Sequence, residues 1–224
     1  MESKEFNRPS RQLIEEFHKL STPNISDALD RFKVKGGCHG ITPVVDNVKV
    51  AGPAFTVKYV PTAVEPGTVG DYIDYCKAGD VIVIDNGGRT DCTVWGDLLT
   101  ITAKRMGLAG TIIDGVCRDI PTIRKLVYPI FTRGRFMVTG KDRVQLDAIN
   151  VPVSLCGVRV EAGDIVVADD SGVVIVPEEM ADKILQAAKS IAESEKFIEA
   201  EIEKGAKLSE ARKKFGYHSL QRKS

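Results

Sequence analysis

Apolar positions recur every three to four residues at the start of the chain, and every second residue or without a break further on. Leu13, Ile14, Phe17 and Leu20 share one helical face in residues 9–20, which predicts a first amphipathic helix. Ser21-Thr22-Pro23-Asn24 offers several caps before a second short helix over residues 25–32. Residues 34–46 read as loop. Residues 48–51 and 54–60 read as two strands broken at Gly52-Pro53. A loop over residues 61–68 leads to a short helix over 69–76 that ends at Gly79.

Residues 80–85, DVIVID, form a β-branched run, the pattern of a strand buried on both faces. Asn86-Gly87-Gly88-Arg89 reads as a flexible loop leading toward Trp95-Gly96-Asp97. An amphipathic run over 98–106, a stop at Gly107 and an apolar run over 111–113 then predict helix, turn and strand. A short helix is expected over 121–127, with Pro121 near its first turn, and one or two strands over 130–138. From Val151 the pattern changes to short strands with turns at Glu161-Ala162-Gly163 and Asp169-Asp170-Ser171-Gly172. A long helix is expected after Pro177, to about Lys204, with Gly205 as its stop. No repeat or low-complexity linker divides the chain. The expectation is a layered α/β fold in a single domain over residues 1–205, with a basic polar tail or short helix over 206–224. Too few βα units are present for an eight-fold barrel.

Composition removes several classes of function. Lys+Arg and Asp+Glu both number 31 in 224 residues, so no net field points directly to nucleic acid or to a membrane. The polar start MESKEFNRPSRQL carries no apolar signal region, and no apolar run approaches a membrane span. The five cysteines are scattered, odd in number and without a CxxC pair. That favours reduced thiols and a cytoplasmic location over a zinc knuckle. His18, His39 and His218 are far apart in sequence. No phosphate-binding GxxxxGK[ST] motif is present.

What remains is carboxylate chemistry. A helix followed by a strand packed beneath it returns the chain to its starting end. Asp97, at the helix start, and Asp119, past the strand end, are therefore expected to face one another, with Arg118 beside them. Two carboxylates and a guanidinium at one place suggest a hard metal ion and an anionic substrate. Each residue also has a plain structural reading. Asp97 can be a helix N-cap, Asp119 can cap the next helix, and Arg118 can be a surface residue. Glu195 falls on the apolar stripe of the long helix formed by Ile184, Ala188, Ile191, Ile198 and Ile202. A carboxylate there needs a partner or a metal unless the seam has already ended and it is exposed.

The spacing of Asp97 and Arg118-Asp119 sits among Ser26-Asp27-Ala28-Leu29, Gly79-Asp80-Val81, Asn86-Gly87-Gly88, Trp95-Gly96-Asp97, Asp114-Gly115 and Asp169-Asp170-Ser171-Gly172-Val173. With this set the chain resembles, over about residues 20–205, the family of the class II 4-hydroxy-4-methyl-2-oxoglutarate/4-carboxy-4-hydroxy-2-oxoadipate aldolases. That family also holds the RraA-type regulators of ribonuclease E. The resemblance implies an α/β/β sandwich related to swivelling domains, in a homotrimer or homohexamer with sites between subunits. It implies Asp119 as a direct ligand of Mg²⁺ or Mn²⁺, with Asp97 holding the metal through water. An acid from the neighbour's C-terminal helix completes the set, with Glu195 the best match and Glu193 the second. Arg118 would contact the substrate, together with Gly96, Asp97 and the amides of Leu98 and Leu99. The chemistry expected is cleavage of a 4-hydroxy-4-methyl-2-oxoglutarate-like 4-hydroxy-2-oxo acid to pyruvate through an enolate, with oxaloacetate decarboxylation as a side activity. The alternative is a non-catalytic regulator of ribonuclease E-type RNA processing that binds a protein. The family's usual acid three residues after Arg-Asp is replaced here by Thr122.

Overall fold

Four parallel strands run side by side in the order β5, β4, β3, β2, and everything else is arranged on them. They are β2 (Val50–Pro61), β3 (Val81–Thr93), β4 (Gly110–Cys117) and β5 (Ile130–Arg135). The computed structural model describes residues 5–65 and 67–217. Antiparallel strands flank the parallel set: β1 (Thr42–Pro43) on β5, and β6 (Val144–Ile149) and β9 (Ile165–Asp169) on β2, with β10 (Gly172–Val176) outside β9. A separate hairpin pairs β7 (Val153–Leu155) with β8 (Val158–Val160).

Alternation along the strands builds two faces. Ile82, Ile84 and Ile113 join Trp95, Ala103 and Ile123 in one core, beneath α3 (Asp97–Met106) and α4 (Ile120–Leu126). Val81, Val83 and Ile112 join Val153, Leu155, Val158 and Val160 in a second core beneath the hairpin. The order is helix, sheet, hairpin, the expected α/β/β layering. A third core lies where β9 and β10 meet α1 (Arg11–His18), α2 (Thr22–Arg31) and α5 (Ala181–Glu203). After Gly205, α6 (Leu208–Lys214) folds back on α5, where Phe215 stacks on Phe197 at 5.6 Å. Residues 218–224 of the expected tail lie outside the described residues.

The sequence expectations need five corrections. Residues 50–61 are one strand, unbroken at Gly52-Pro53. Gly52 is there because a Cβ would lie 2.4 Å from the Gly79 carbonyl oxygen. Pro53 occupies the last rung with β9, one residue before pairing with β3 begins, so its missing N–H costs little. Asn86-Gly87-Gly88-Arg89 is not a loop but part of β3. Register shifts between Asp85 and Arg89, and again before Thr93, mark bulges that keep the strand's course. Gly87 and Gly88 accept φ of 61° and 70° there. β6 was not anticipated at all, and β1 lies within the expected loop. The predicted helix over 69–76 is a 3₁₀ turn, Asp71–Tyr75.

The chain's first described residues strap the sheet's near end. Arg8 donates from Nε and Nη2 to the carboxylate of fully buried Asp80 at 2.7 and 2.8 Å. That carboxylate also accepts the Lys77 amide at 2.8 Å.

Candidate active site

The site forms where β3 and β4 end side by side. Buried Thr93 holds the two ends together: its Oγ1 lies 2.9 Å from the carbonyl oxygens of both Trp95 and Val116 and accepts the Trp95 amide at 3.2 Å. The Arg118 amide donates to the Trp95 carbonyl at 3.0 Å. Trp95 is 1% exposed and stacks on Tyr128 at 6.2 Å. Its indole N–H donates to Thr100 Oγ1 at 2.8 Å, and that hydroxyl donates to the Gly96 carbonyl at 2.8 Å. The first turn of α3 is thus locked to the sheet, and groups on it are held in one geometry.

The turn after β4 brings the Asp119 side chain to the backbone of Asp97. The Asp97 amide donates to Asp119 Oδ2 at 3.1 Å, and Arg118 Nε lies 3.4 Å from the same oxygen. Asp97 is not the cap of its helix, whereas Asp119 does stand at the N-cap position of α4. The residue capping α3 is Gly96, and Asp97 is the first helical residue. Asp119 precedes α4 but makes no side-chain capping bond. Its backbone sits in the left-handed region, φ 60° and ψ 37°, a conformation that concentrates where function constrains the chain. The turn aims the carboxylate back at the α3 N-terminus, whose partial positive charge stabilises it. Asp119 is 37% and Arg118 40% exposed at the side chain, so both open to solvent.

A cleft of about 200 Å³ opens beside this pair, lined by Gly96, Asp97, Leu98, Leu99, Arg118 and others. The Leu98 amide is taken by Asp97 Oδ1 at 2.8 Å. The Leu99 amide donates to nothing among the described residues, which leaves it as the helix N-terminal donor for an anion. Asp119 Oδ1 and Asp97 Oδ2 likewise have no partner among the described residues. Cys117, fully buried just before Arg118, is no nucleophile: burial pushes its thiol up to about 12.

Glu195 lies elsewhere within the chain. It is half-buried on the α5 seam, where Asn24 Nδ2 of α2 donates to its Oε2 at 2.6 Å. The seam continues past it to buried Ile198. Glu193 is exposed. No three His, Cys, Asp or Glu side chains among the described residues converge to hold a metal. Asn24, missed by sequence reasoning, leaves no local signal, because the pair is 171 residues apart. Asp169 lies in the β9–β10 turn, as expected, and accepts the Ser171 amide at 2.9 Å. It also takes the Thr22 amide and hydroxyl at 2.8 and 2.6 Å. No described helix is long and apolar enough to cross a membrane.

The chain is 38% identical to DlpA of Legionella pneumophila across 96% of its own length, while spanning 37% of DlpA. A Halalkalibacterium halodurans protein provisionally named 4-hydroxy-4-methyl-2-oxoglutarate aldolase is 38% identical, over 79% of this chain and 81% of that protein. The crystal structure of Streptomyces coelicolor RraAS2, titled an unusual member of the RNase ES inhibitor RraA protein family, superposes with a TM-score of 0.79. It is 31% identical and covers 86% of this chain and 98% of its own. A family model described as Aldolase/RraA matches residues 22–175, a span that runs from α2 through both site acids to β10. The chain belongs to that Aldolase/RraA family.

Proposed function

We propose that this chain is a divalent-cation-dependent aldolase that cleaves a 4-hydroxy-2-oxo acid to pyruvate and decarboxylates oxaloacetate at the same site. The observation that carries the reading is the Asp119 carboxylate, turned away from α4 toward the Asp97 amide with Arg118 beside it. The provisional name of the 38% identical H. halodurans relative supports it. The donor set fits a hard cation: two carboxylates with an unengaged oxygen each, in a half-open cleft that admits water. Asp119 would hold Mg²⁺ or Mn²⁺ directly and Asp97 through water. When bound, the cation supplies Lewis-acid polarisation of the 2-oxo group.

The chain's own residues account for the rest. The substrate carboxylate takes the free Leu99 amide at the positive end of α3. A water oriented by Asp97 accepts the 4-hydroxyl proton. As the C3–C4 bond breaks, its electron pair moves toward the 2-oxo oxygen, where the Arg118 guanidinium meets the developing charge. Protonation at C3 then yields pyruvate. Loss of CO₂ from oxaloacetate places charge on the same oxygen.

A second copy would close the cleft, in a homotrimer or homohexamer. The outer end of α5 is acidic and apolar, with Glu193, Glu199 and Glu203 exposed around Phe197, itself 50% exposed. The outer face of α3 offers Leu98 at 77% and Ile101 at 49% exposure beside Lys104 and Arg105. These surfaces are complementary in charge and both apolar. Their contact would bring Glu195, or Glu193, toward the cation of the neighbouring copy.

The test is pyruvate release from 4-hydroxy-2-oxo acids with Mg²⁺ or Mn²⁺. Asp119→Ala is expected to abolish it, and equal rates in EDTA would refute the metal role. That no three His, Cys, Asp or Glu side chains converge among the described residues favours a second reading, a non-catalytic regulator that binds a protein. That reading expects no thermal stabilisation by the cation.

A further inference from the structure

Glu195 differs from the acids around it on α5. Glu193, Glu199 and Glu203 are exposed, and Glu201 is tied by Lys204 and Lys214 at 3.3 and 2.7 Å. Glu195 is half-buried, and the group that holds its Oε2, at 2.6 Å, is the neutral amide of Asn24. Asn24 is 9% exposed, on the first turn of α2. Its backbone N–H donates to Ser21 Oγ at 3.3 Å, and the Ser21 hydroxyl donates to its Oδ1 at 2.6 Å. The amide is therefore fixed from both sides. The hydroxyl that accepts the backbone N–H has its proton to give to Oδ1, and a carboxylate only accepts, so Nδ2 must face Glu195.

Glu195 also borders a surface recess with Glu199, Ile202 and Arg212. Arg212 is engaged elsewhere, over the Tyr217 ring at 4.8 Å from its centroid. Glu195 Oε1 has no partner among the described residues. A carboxylate oriented by a neutral donor keeps its charge undivided for an incoming cation, whereas that of Glu201 is already shared with two ammonium groups. Carboxylates that ligate metals are themselves oriented by hydrogen bonds of this kind.

We propose that Asn24 is a positioning residue: from α2 it holds Glu195 Oε2 so that Oε1 is presented as the acid that closes the cation site of a neighbouring copy. This rests on the reading of Asp119 and Asp97 as a cation site. It also separates the two candidate acids, because exposed Glu193 has no such support among the described residues.

The test reads cation binding, not turnover. Mn²⁺ dissociation constants of the full chain are measured by calorimetry, beside melts taken without cation. Asn24→Leu nearly keeps the side-chain volume and removes the donor, and it is expected to weaken Mn²⁺ binding about 10- to 100-fold. Should the leucine variant not fold, Asn24→Ala carries the same measurement. In a Glu195→Gln background, itself weakened, the same substitution is expected to add no further loss, because Asn24 acts through that carboxylate. An equal loss in both backgrounds, or a lower melting temperature with the dissociation constant unmoved, overturns the proposal. So does weakening by Glu193→Gln in place of Glu195→Gln. If Asp119→Ala also leaves Mn²⁺ binding unmoved, the cation-site reading falls with it. If Asp119→Ala weakens binding and Asn24→Leu does not, that reading stands and this inference alone fails.

Discussion

Replacing Gly96 by alanine puts one methyl group into the centre of the site. Its Cβ would lie 2.6 Å from Asp119 Oδ2 and 3.3 Å from Arg118 Nε. Unbonded heavy atoms settle at about 3.5 Å, so the carboxylate must retreat by most of an ångström. The 3.1 Å bond from the Asp97 amide then stretches past hydrogen-bonding range. Losing a bond to a charged acceptor costs about 1.5–3 kcal/mol, which is roughly 10- to 150-fold in an equilibrium or rate. Misplacing a reacting group by about 1 Å costs a similar ~10²-fold. The backbone gives no reason for general damage. Gly96 has φ −148° and ψ −161° and makes no side-chain cap, so alanine adopts its conformation freely. The expected outcome is a fall in kcat for pyruvate release of about 10²-fold, with the melting temperature nearly unchanged. Steady-state kinetics beside a thermal melt measure both. Activity within twofold of the parent would show that the Asp119 position does not govern the chemistry.

Further predictions concern other parts of the fold. Arg8→Ala leaves Asp80, fully buried, with only the Lys77 amide among the described residues. It is expected to cost about 3 kcal/mol in urea unfolding, and an unchanged midpoint would refute the strap. Thr93→Val removes the hydroxyl that ties β3 to β4 and should lower kcat more than stability, read from kinetics and melts of the same preparation. Lys189, then Lys19, hold the Glu16 carboxylate down at about 2 from an ordinary 4.5. Because its folded value is depressed, its contribution is full above about 4.5 and lost as pH falls toward about 2. Glu16→Gln should flatten that part of an acid titration followed by circular dichroism, and an unaltered titration would refute the linkage.

Much of the site was legible because its elements are short and strongly patterned. The 98–106 periodicity, the Gly107 stop and the 111–113 run give α3, its left-handed cap at φ 72° and β4. Their order alone predicts that Asp97 and Asp119 meet. The left-handed turn at Asp119 was not legible, since aspartate there also suits a helix cap. β3 was read short because paired glycines signal turns, and only pairing with β4 shows that the strand resumes. β6 was missed because Val144, Leu146 and Ile149 make a brief, interrupted alternation that acquires meaning only against β2. Gly52-Pro53 misled for the same kind of reason, as its significance depends on Gly79 and β9.

The bulges of β3 carry a consequence for how this architecture can diversify. Asp85 stands opposite Asp114 and Thr93 opposite Val116, so one strand spends eight steps where its neighbour spends two. The surplus acts as a spacer whose length fixes where α3 begins above the sheet. Shortening or lengthening it would slide the helix N-terminus relative to Arg118 and reshape the cleft, while both carboxylates keep their places in the chain.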